Sequence, residues 1–171
     1  FDVGANDGSW ARKMVSLVNK TLVSNNLTLD VYMVEPQQGF RNKLRDLSKR
    51  LSKGRVRVHY LPFAAAKHNA TQQMSRRKGD STTATLAVGT MSGDPEQRTM
   101  QVDTIDIAAL MLDKLPLKGV NTGLNFLKLD TESYEFKLIP RLLARGVLCQ
   151  LDFFLLEWHL NAAPVGARLS A

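Results

Sequence analysis

Phe1–Trp10, FDVGANDGSW, reads as the last three residues of a strand, a glycine turn and the start of a helix. From Ser9 to about Lys20 the spacing predicts that helix, with Trp10, Met14, Leu17 and Val18 on its apolar face. Leu29–Glu35, LDVYMVE, follows as a buried strand rich in β-branched and aromatic residues, then a helix over about Gly39–Ser52. Arg55–Tyr60, RVRVHY, alternates basic and apolar residues, which suits a strand with one covered face. Strand, helix, strand, helix, strand is the order that builds a parallel sheet from right-handed crossovers. The fold class expected from the opening turn is therefore α/β.

The rhythm breaks over residues 67–100, which are polar, rich in Ser, Thr and Gly, and without a long apolar period. Short strands and loops inserted at the sheet edge are expected there, with a flexible tip near Arg76–Asp80. Gln101–Leu115 reads as a strand end running into a helix with Ile105, Ala108, Ala109 and Leu112 on its apolar stripe. Leu124–Asp130 is a further strand, Tyr134–Arg145 a helix stopped by Gly146, and Leu151–Glu157 the last clear strand. At 171 residues, with 44% apolar and 23% charged side chains, the chain suits one globular domain spanning 1–171 with the 67–100 insertion.

No apolar run approaches the ~20 residues that cross a bilayer, so no membrane segment is expected in this chain. Cys149 is the single cysteine, which excludes an intrachain disulfide. Asn19-Lys20-Thr21, Asn26-Leu27-Thr28 and Asn69-Ala70-Thr71 are glycosylation sequons, for which coincidence in a chain rich in polar loops is the plain reading and a secretory route the alternative; the compartment is otherwise expected to be the cytoplasm. Between Arg41 and Arg57 eight basic residues meet Asp46 alone, so this stretch accounts for the whole net charge of +7. Phe40, Leu44, Leu47 and Leu51 recur there at helical spacing, which buries one stripe and leaves the basic groups outside. A solvated outer face is the plain reading of that run, and docking of an acidic polymer or a membrane surface the alternative.

In a doubly wound sheet, ligands sit beyond the carboxyl ends of the strands. The G-A-N-D-G spacing lacks both the dinucleotide G-x-G-x-x-G fingerprint and the phosphate loop, so phosphate binding is disfavoured. A glycine turn plus Glu35 at the end of the second strand fits a nucleoside-type ligand whose ribose diol donates to that carboxylate. The plain alternative makes Asp2 and Glu35 ordinary solvated acids at strand ends.

FDVGANDG, VYMVEP, LKLDTESYEFKLI and LLEWH, in that order, resemble the motifs of the FkbM family of S-adenosylmethionine-dependent methyltransferases, and QVDTIDIAALM resembles the stretch ahead of its fourth strand. The likeness runs from Phe1 to about His159. It implies a three-layer αβα, Rossmann-like class I methyltransferase fold with a mostly parallel sheet, truncated at both ends in this fragment. It further implies S-adenosyl-L-methionine as cofactor and O-methylation of a glycan or small metabolite. Carried over by position, it places Asp2, Gly4, Asn6 and Gly8 at the methionine end of the cofactor, in an amide cradle. Glu35 falls at the ribose, Phe63 and Ala64 near the adenine, and Asp130 opposite the transferable methyl. The family pattern D-x-E-G-x-E is broken by Ser133, where glycine is expected.

Methyl transfer to a hydroxyl needs alignment of the acceptor and a nearby base. Asp130, Glu132, Glu157 and His159 are the candidates, with Lys128 on the same strand face as Asp130 to keep that carboxylate ionised. Each has a plainer reading: Asp130 as a helix cap, Glu132 and Glu135 as complements of a helix dipole, Glu157 and His159 as rim residues. Trp158 and Tyr134 are candidates to stack on a sugar, or else ordinary packing. His59, His68 and His159 show no paired ligand spacing, so no metal is expected. Two further readings compete: a non-catalytic module that keeps the cofactor fold, suggested by Ser133, and an RNA methyltransferase, suggested by the basic run alone.

Overall fold

The computed structural model describes residues 1–77, 84–86, 97–115 and 123–159. Its first half is a run of strand and helix: β1 (Asp2–Val3), α1 (Ser9–Ser24), β2 (Leu29–Val34), α2 (Gln38–Leu51) and β3 (Val56–Leu61). The second half gives β4 (Ala64–Ala66), β5 (Ala70–Arg77), β6 (Ala84–Leu86), β7 (Gln97–Asp106) and α3 (Ile107–Lys114). It closes with β8 (Phe126–Leu129), α4 (Glu135–Ala144), a short 3₁₀ turn at Leu148–Gln150 and β9 (Phe153–Leu156).

Five strands form a sheet in the order β3-β2-β1-β8-β9, every neighbouring pair parallel. The fold is thus α/β and Rossmann-like. Apolar layers on both faces explain why β2 is almost continuously hydrophobic. Alternate residues go to opposite sides. Val31 and Met33 join a cluster with Ala11 and Val15 of α1 and Leu44 and Leu47 of α2, whereas Val34 belongs to the cluster of Ile107 and Met111 of α3 and Leu138 and Leu142 of α4. On β3 the expected alternation holds, with Val56 and Val58 buried and Arg57 and His59 exposed. Gly146 stops α4 with φ +70, while Gly146 N and Val147 N donate to the carbonyls of Leu143 and Leu142.

Three expectations need correction. The apolar face of α1 excludes Leu17, which is 74% exposed; Ala11, Val15 and Leu22 take the core side instead. On α3 the buried residues are Ile107, Ala108 and Met111; Ile105 belongs to β7, which runs to Asp106, and Leu112 is exposed. Finally, the insertion does not extend the edge of the main sheet. β4 to β7 make a second sheet in the order β4-β7-β5-β6, with β5 antiparallel to β6 and β7 and β4 parallel to β7. Met74, Leu86 and Val102 of that sheet are buried in the α3–α4 cluster, so the sheet packs over the core. The expected tip lies largely outside the described residues, as does the segment after His159.

Candidate active site

The order of strands reverses at β1: β2 and β3 lie to one side, β8 and β9 to the other. Connections diverging from neighbouring strands leave a crevice at their carboxyl ends. There the structure has a narrow cleft enclosing about 510 Å³ of open space, mouth included. Gly4 and Asn6 line it from the β1 turn, Glu35, Pro36 and Gln37 from the end of β2, and Ala64 and Ala65 from β4. Asp130, Thr131, Glu132 and Tyr134 line it from the end of β8, and Met74, Ala84 and Leu86 of the second sheet close one side.

The glycine turn is built from inside. Gly4 N and Ala5 N both donate to the Val34 carbonyl, at 3.0 and 3.1 Å, and Gly8 N donates to the Ala5 carbonyl at 2.8 Å. Asn6 N donates to Glu35 Oε2 at 3.0 Å and Ser9 N to Asp7 Oδ1 at 2.9 Å. Where an amide cradle is expected, these five donors are already hydrogen-bonded within the protein. The two glycines also have separate reasons. At Gly4, with φ +77, a methyl group would sit 1.6 Å from the Asp130 carbonyl oxygen, so the missing side chain lets β1 and β8 end side by side. At Gly8 a methyl group would meet Leu47 Cδ2 at 2.3 Å, so its contribution is close packing of the turn on α2.

Glu35 is almost fully buried and its Oε1 accepts from Gln37 N at 2.9 Å, so one carboxylate ties the β1 turn to the β2 turn. Burial pushes its carboxyl up, against the pull of the Gln37 and Asn6 amides and the Lys128 charge. A carboxylate offers about four lone-pair positions, which the Asn6 and Gln37 groups do not fill, so acceptor capacity toward a diol remains. Gln37 Oε1 adds a buried acceptor with no hydrogen-bond partner on the wall of the same cleft. A nucleoside group with hydroxyl and amino donors fits these unspent acceptors.

Across the cleft, Lys128 organises the end of β8. Its Nζ donates to the Gly4 carbonyl and to Asp130 Oδ2, both at 2.9 Å, and lies 3.5 Å from Asp2 Oδ1. Asp2 itself is fully buried, and burial raises its carboxyl despite the nearby lysine. After Asp130 the chain turns through two residues with positive φ, Glu132 at +52° and Ser133 at +82°. This bend sets α4 and brings Glu132 and Glu135 to an imidazole that Asp130 and Glu157 also approach. His159 Nε2 lies 3.7 Å from Asp130, 3.5 Å from Glu132 and 3.7 Å from Glu157, and its Nδ1 lies 3.4 Å from Glu135. Burial raises the Glu132 carboxyl, His159 opposes that, and the neighbouring carboxylates add to it.

The Methyltransferase FkbM domain model matches residues 2–167. The chain belongs to the FkbM methyltransferase family. Comparisons with curated proteins and with solved structures return no match.

Within this FkbM domain, Gly4, Asn6, Glu35, Ala64, Asp130 and Glu132 line one cleft. Glu157 and His159 join them at the rim through the imidazole. Asp2, Gly8 and Phe63 are not among the lining residues: Asp2 supports Lys128 from beneath, and Gly8 packs on α2. Tyr134 is buried against the core, while Trp158 is exposed and meets the Phe136 ring edge-on. None of the eight basic residues between Arg41 and Arg57 lines the cleft. Glu135 is the residue that sequence reasoning passed over. It is fully buried, and its Oε1 accepts from the backbone N and hydroxyl of Thr131. Also against expectation, Asp130, Glu135 and His159 offer donor atoms that all lie within 4.8 Å of one another.

Proposed function

We propose that this FkbM domain transfers a methyl group from S-adenosylmethionine to a hydroxyl oxygen of a glycan or small metabolite. The observation that carries this reading is the meeting of Gly4, Glu35 and Asp130 in one cleft where the strand order reverses. Glu35 and Gln37 offer acceptors for the ribose and for an exocyclic amine, and Pro36, Ala64 and Ala65 form an apolar wall for the adenine. Asn6, on the same wall, is placed for the amino-acid end. When bound, the cofactor supplies a methyl group on a positively charged sulfur, and transfer is an in-line displacement with the acceptor oxygen entering as the carbon–sulfur bond breaks.

The residues of the chain then have to orient the acceptor and take one proton from it. Asp130 is held through Oδ2 by Lys128, which leaves Oδ1 as a fixed acceptor for the incoming hydroxyl. Glu132 stands beside it on the cleft wall, and His159 Nε2 lies within 3.5 Å of its Oε2, so a proton received at Glu132 is shared with the imidazole.

Calorimetric titration with S-adenosylhomocysteine tests the cofactor, and absence of binding to the folded protein overturns the reading. Methyl-labelled S-adenosylmethionine offered with a panel of saccharides and small hydroxylated compounds tests the transfer. Glu132→Gln is expected to lower turnover by about 100-fold or more while S-adenosylhomocysteine affinity stays within about threefold. Unchanged turnover removes Glu132 from the proton path. Cofactor binding without transfer to any acceptor favours the non-catalytic module.

A further inference from the structure

The cluster at the cleft rim holds more negative charge than its own cations balance. Asp130, Glu132, Glu135 and Glu157 all lie within 3.7 Å of the single imidazole of His159, while Lys128 serves Asp130 and the buried Asp2. Carboxylates gathered on one site repel one another unless a cation or a proton joins them. Within this cluster two buried polar atoms also lack partners. Glu135 is completely buried, yet among the described residues its Oε2 has no hydrogen-bond partner, and His159 Nδ1, which lies 3.4 Å from Oε1 of the same carboxylate, has none either. A buried carboxylate oxygen left without a donor is costly. The other oxygen, Oε1, is fixed by Thr131, so the side chain is oriented rather than free to swing.

We propose that Asp130, Glu135 and His159 form a divalent-cation site, with one oxygen from each carboxylate and one imidazole nitrogen as ligands. The ligand atoms lie within 4.8 Å of one another, and ligand distances near 2.0–2.2 Å place any two ligand atoms on a common ion within about 4.4 Å, so closure needs side-chain shifts of a few tenths of an ångström. Two carboxylates and an imidazole suit Zn²⁺, a borderline ion, or Mn²⁺, which the carboxylates favour, better than Ca²⁺, which takes oxygen ligands throughout. Because Asp130 also lines the cleft, three protein ligands leave coordination positions open toward it. Acceptor oxygens completing that sphere would rest on the methyltransferase reading; cation binding itself does not.

The test uses the whole chain, stripped with chelator and titrated with Mn²⁺ by electron paramagnetic resonance and with Zn²⁺ by calorimetry. One equivalent of Mn²⁺ is expected, displaced by Zn²⁺, with affinity at least about tenfold weaker in Glu135→Gln and in His159→Ala. Glu135→Gln keeps the oxygen that accepts from Thr131, and His159 is partly exposed, so at least one variant retains the fold; circular dichroism checks both. Absence of Mn²⁺ and Zn²⁺ binding, or binding that neither variant weakens, overturns the proposal. A parallel S-adenosylhomocysteine titration separates the two readings: cation binding without cofactor binding sinks only the methyltransferase mechanism, and the converse sinks only the cation site.

Discussion

Ser133 occupies the left-handed region, φ +82, at a position where the family motif carries glycine, and its hydroxyl is buried with no hydrogen-bond partner. A side chain in that region costs roughly 1–2 kcal/mol, and an unpaired buried hydroxyl adds to the cost. Ser133→Gly is therefore expected to raise stability by about 1 kcal/mol, after the entropy of the added glycine is subtracted, read as a higher urea midpoint at unchanged slope. A lower midpoint would mean that Ser133 makes a contribution this geometry does not contain. The same bend shows how far individual site residues are legible. Asp130 and Glu132 stand out in sequence because they follow a buried strand and open a helix. Glu135 reads equally well as a solvated first-turn acid, since only the turn through Glu132 and Ser133 brings it under Thr131 and against His159. The glycine turn is legible as a turn but not in its wiring, because nothing in G-A-N-D-G says that Val34 and Glu35 will take the Gly4, Ala5 and Asn6 donors.

The α1 helix and its junction with α2 carry two further expectations. Leu22 is buried between α1, β2 and α2, whereas Leu17 on the same helix is 74% exposed. Leu22→Ala should cost about 2–5 kcal/mol and Leu17→Ala less than about 0.5 kcal/mol in denaturant unfolding. Equal losses would restore the face that the periodicity suggests. Sequence alone does not choose between these stripes, because Met14, Leu17 and Val18 also recur at helical spacing and the packed side is decided by where β2 and α2 lie. The second sheet was hidden for a different reason. β5 and β7 are polar strands joined by backbone pairing, Ala70 opposite Thr104 through Arg77 opposite Gln97, and such pairing leaves no apolar period to read. At the junction, Lys43 of α2 donates to Asp7 Oδ2 at 2.9 Å, and that hydrogen bond chiefly holds the Asp7 carboxyl down to about 2. A folded value below the ordinary 3.8 means the link contributes above that ordinary value and fades as pH falls toward about 2. Both partners are substantially exposed, so the gain is at most about 1 kcal/mol. The stability gap between the parent chain and Asp7→Asn should thus narrow between about pH 5 and about pH 3, and shrink in high salt; a gap constant across that range would disprove the charge link.

Two hollows lie at opposite ends of the parallel sheet, and their chemistry distinguishes them more than their size. The larger, about 1750 Å³ with its open mouth, borders the amino ends of the strands and is lined by Phe1, Trp10, Leu27 and Phe126 among others. Of its charged groups, Asp30 binds Arg57 at 2.6 Å and Lys114 binds Asp113 at 2.8 Å, so these are already paired. The smaller cleft holds acceptors with capacity to spare, Glu35 and the unpartnered Gln37 Oε1, where the strand order reverses. A ligand that binds only the folded chain stabilises it by about 2.7 kcal/mol at 100 times its dissociation constant. Amides that exchange through global unfolding should then slow about 100-fold everywhere, whereas those exchanging through local opening slow only near the ligand. With S-adenosylhomocysteine at that excess, hydrogen exchange is expected to slow locally at Gly4–Gly8, Gln37 and Asp130–Tyr134, and to stay unchanged at Leu27 and Thr28 beside the larger hollow. Local protection at Leu27 and Thr28 with none at the glycine turn would move the cofactor to the other end of the sheet and leave the carboxyl-end cleft without its assigned ligand.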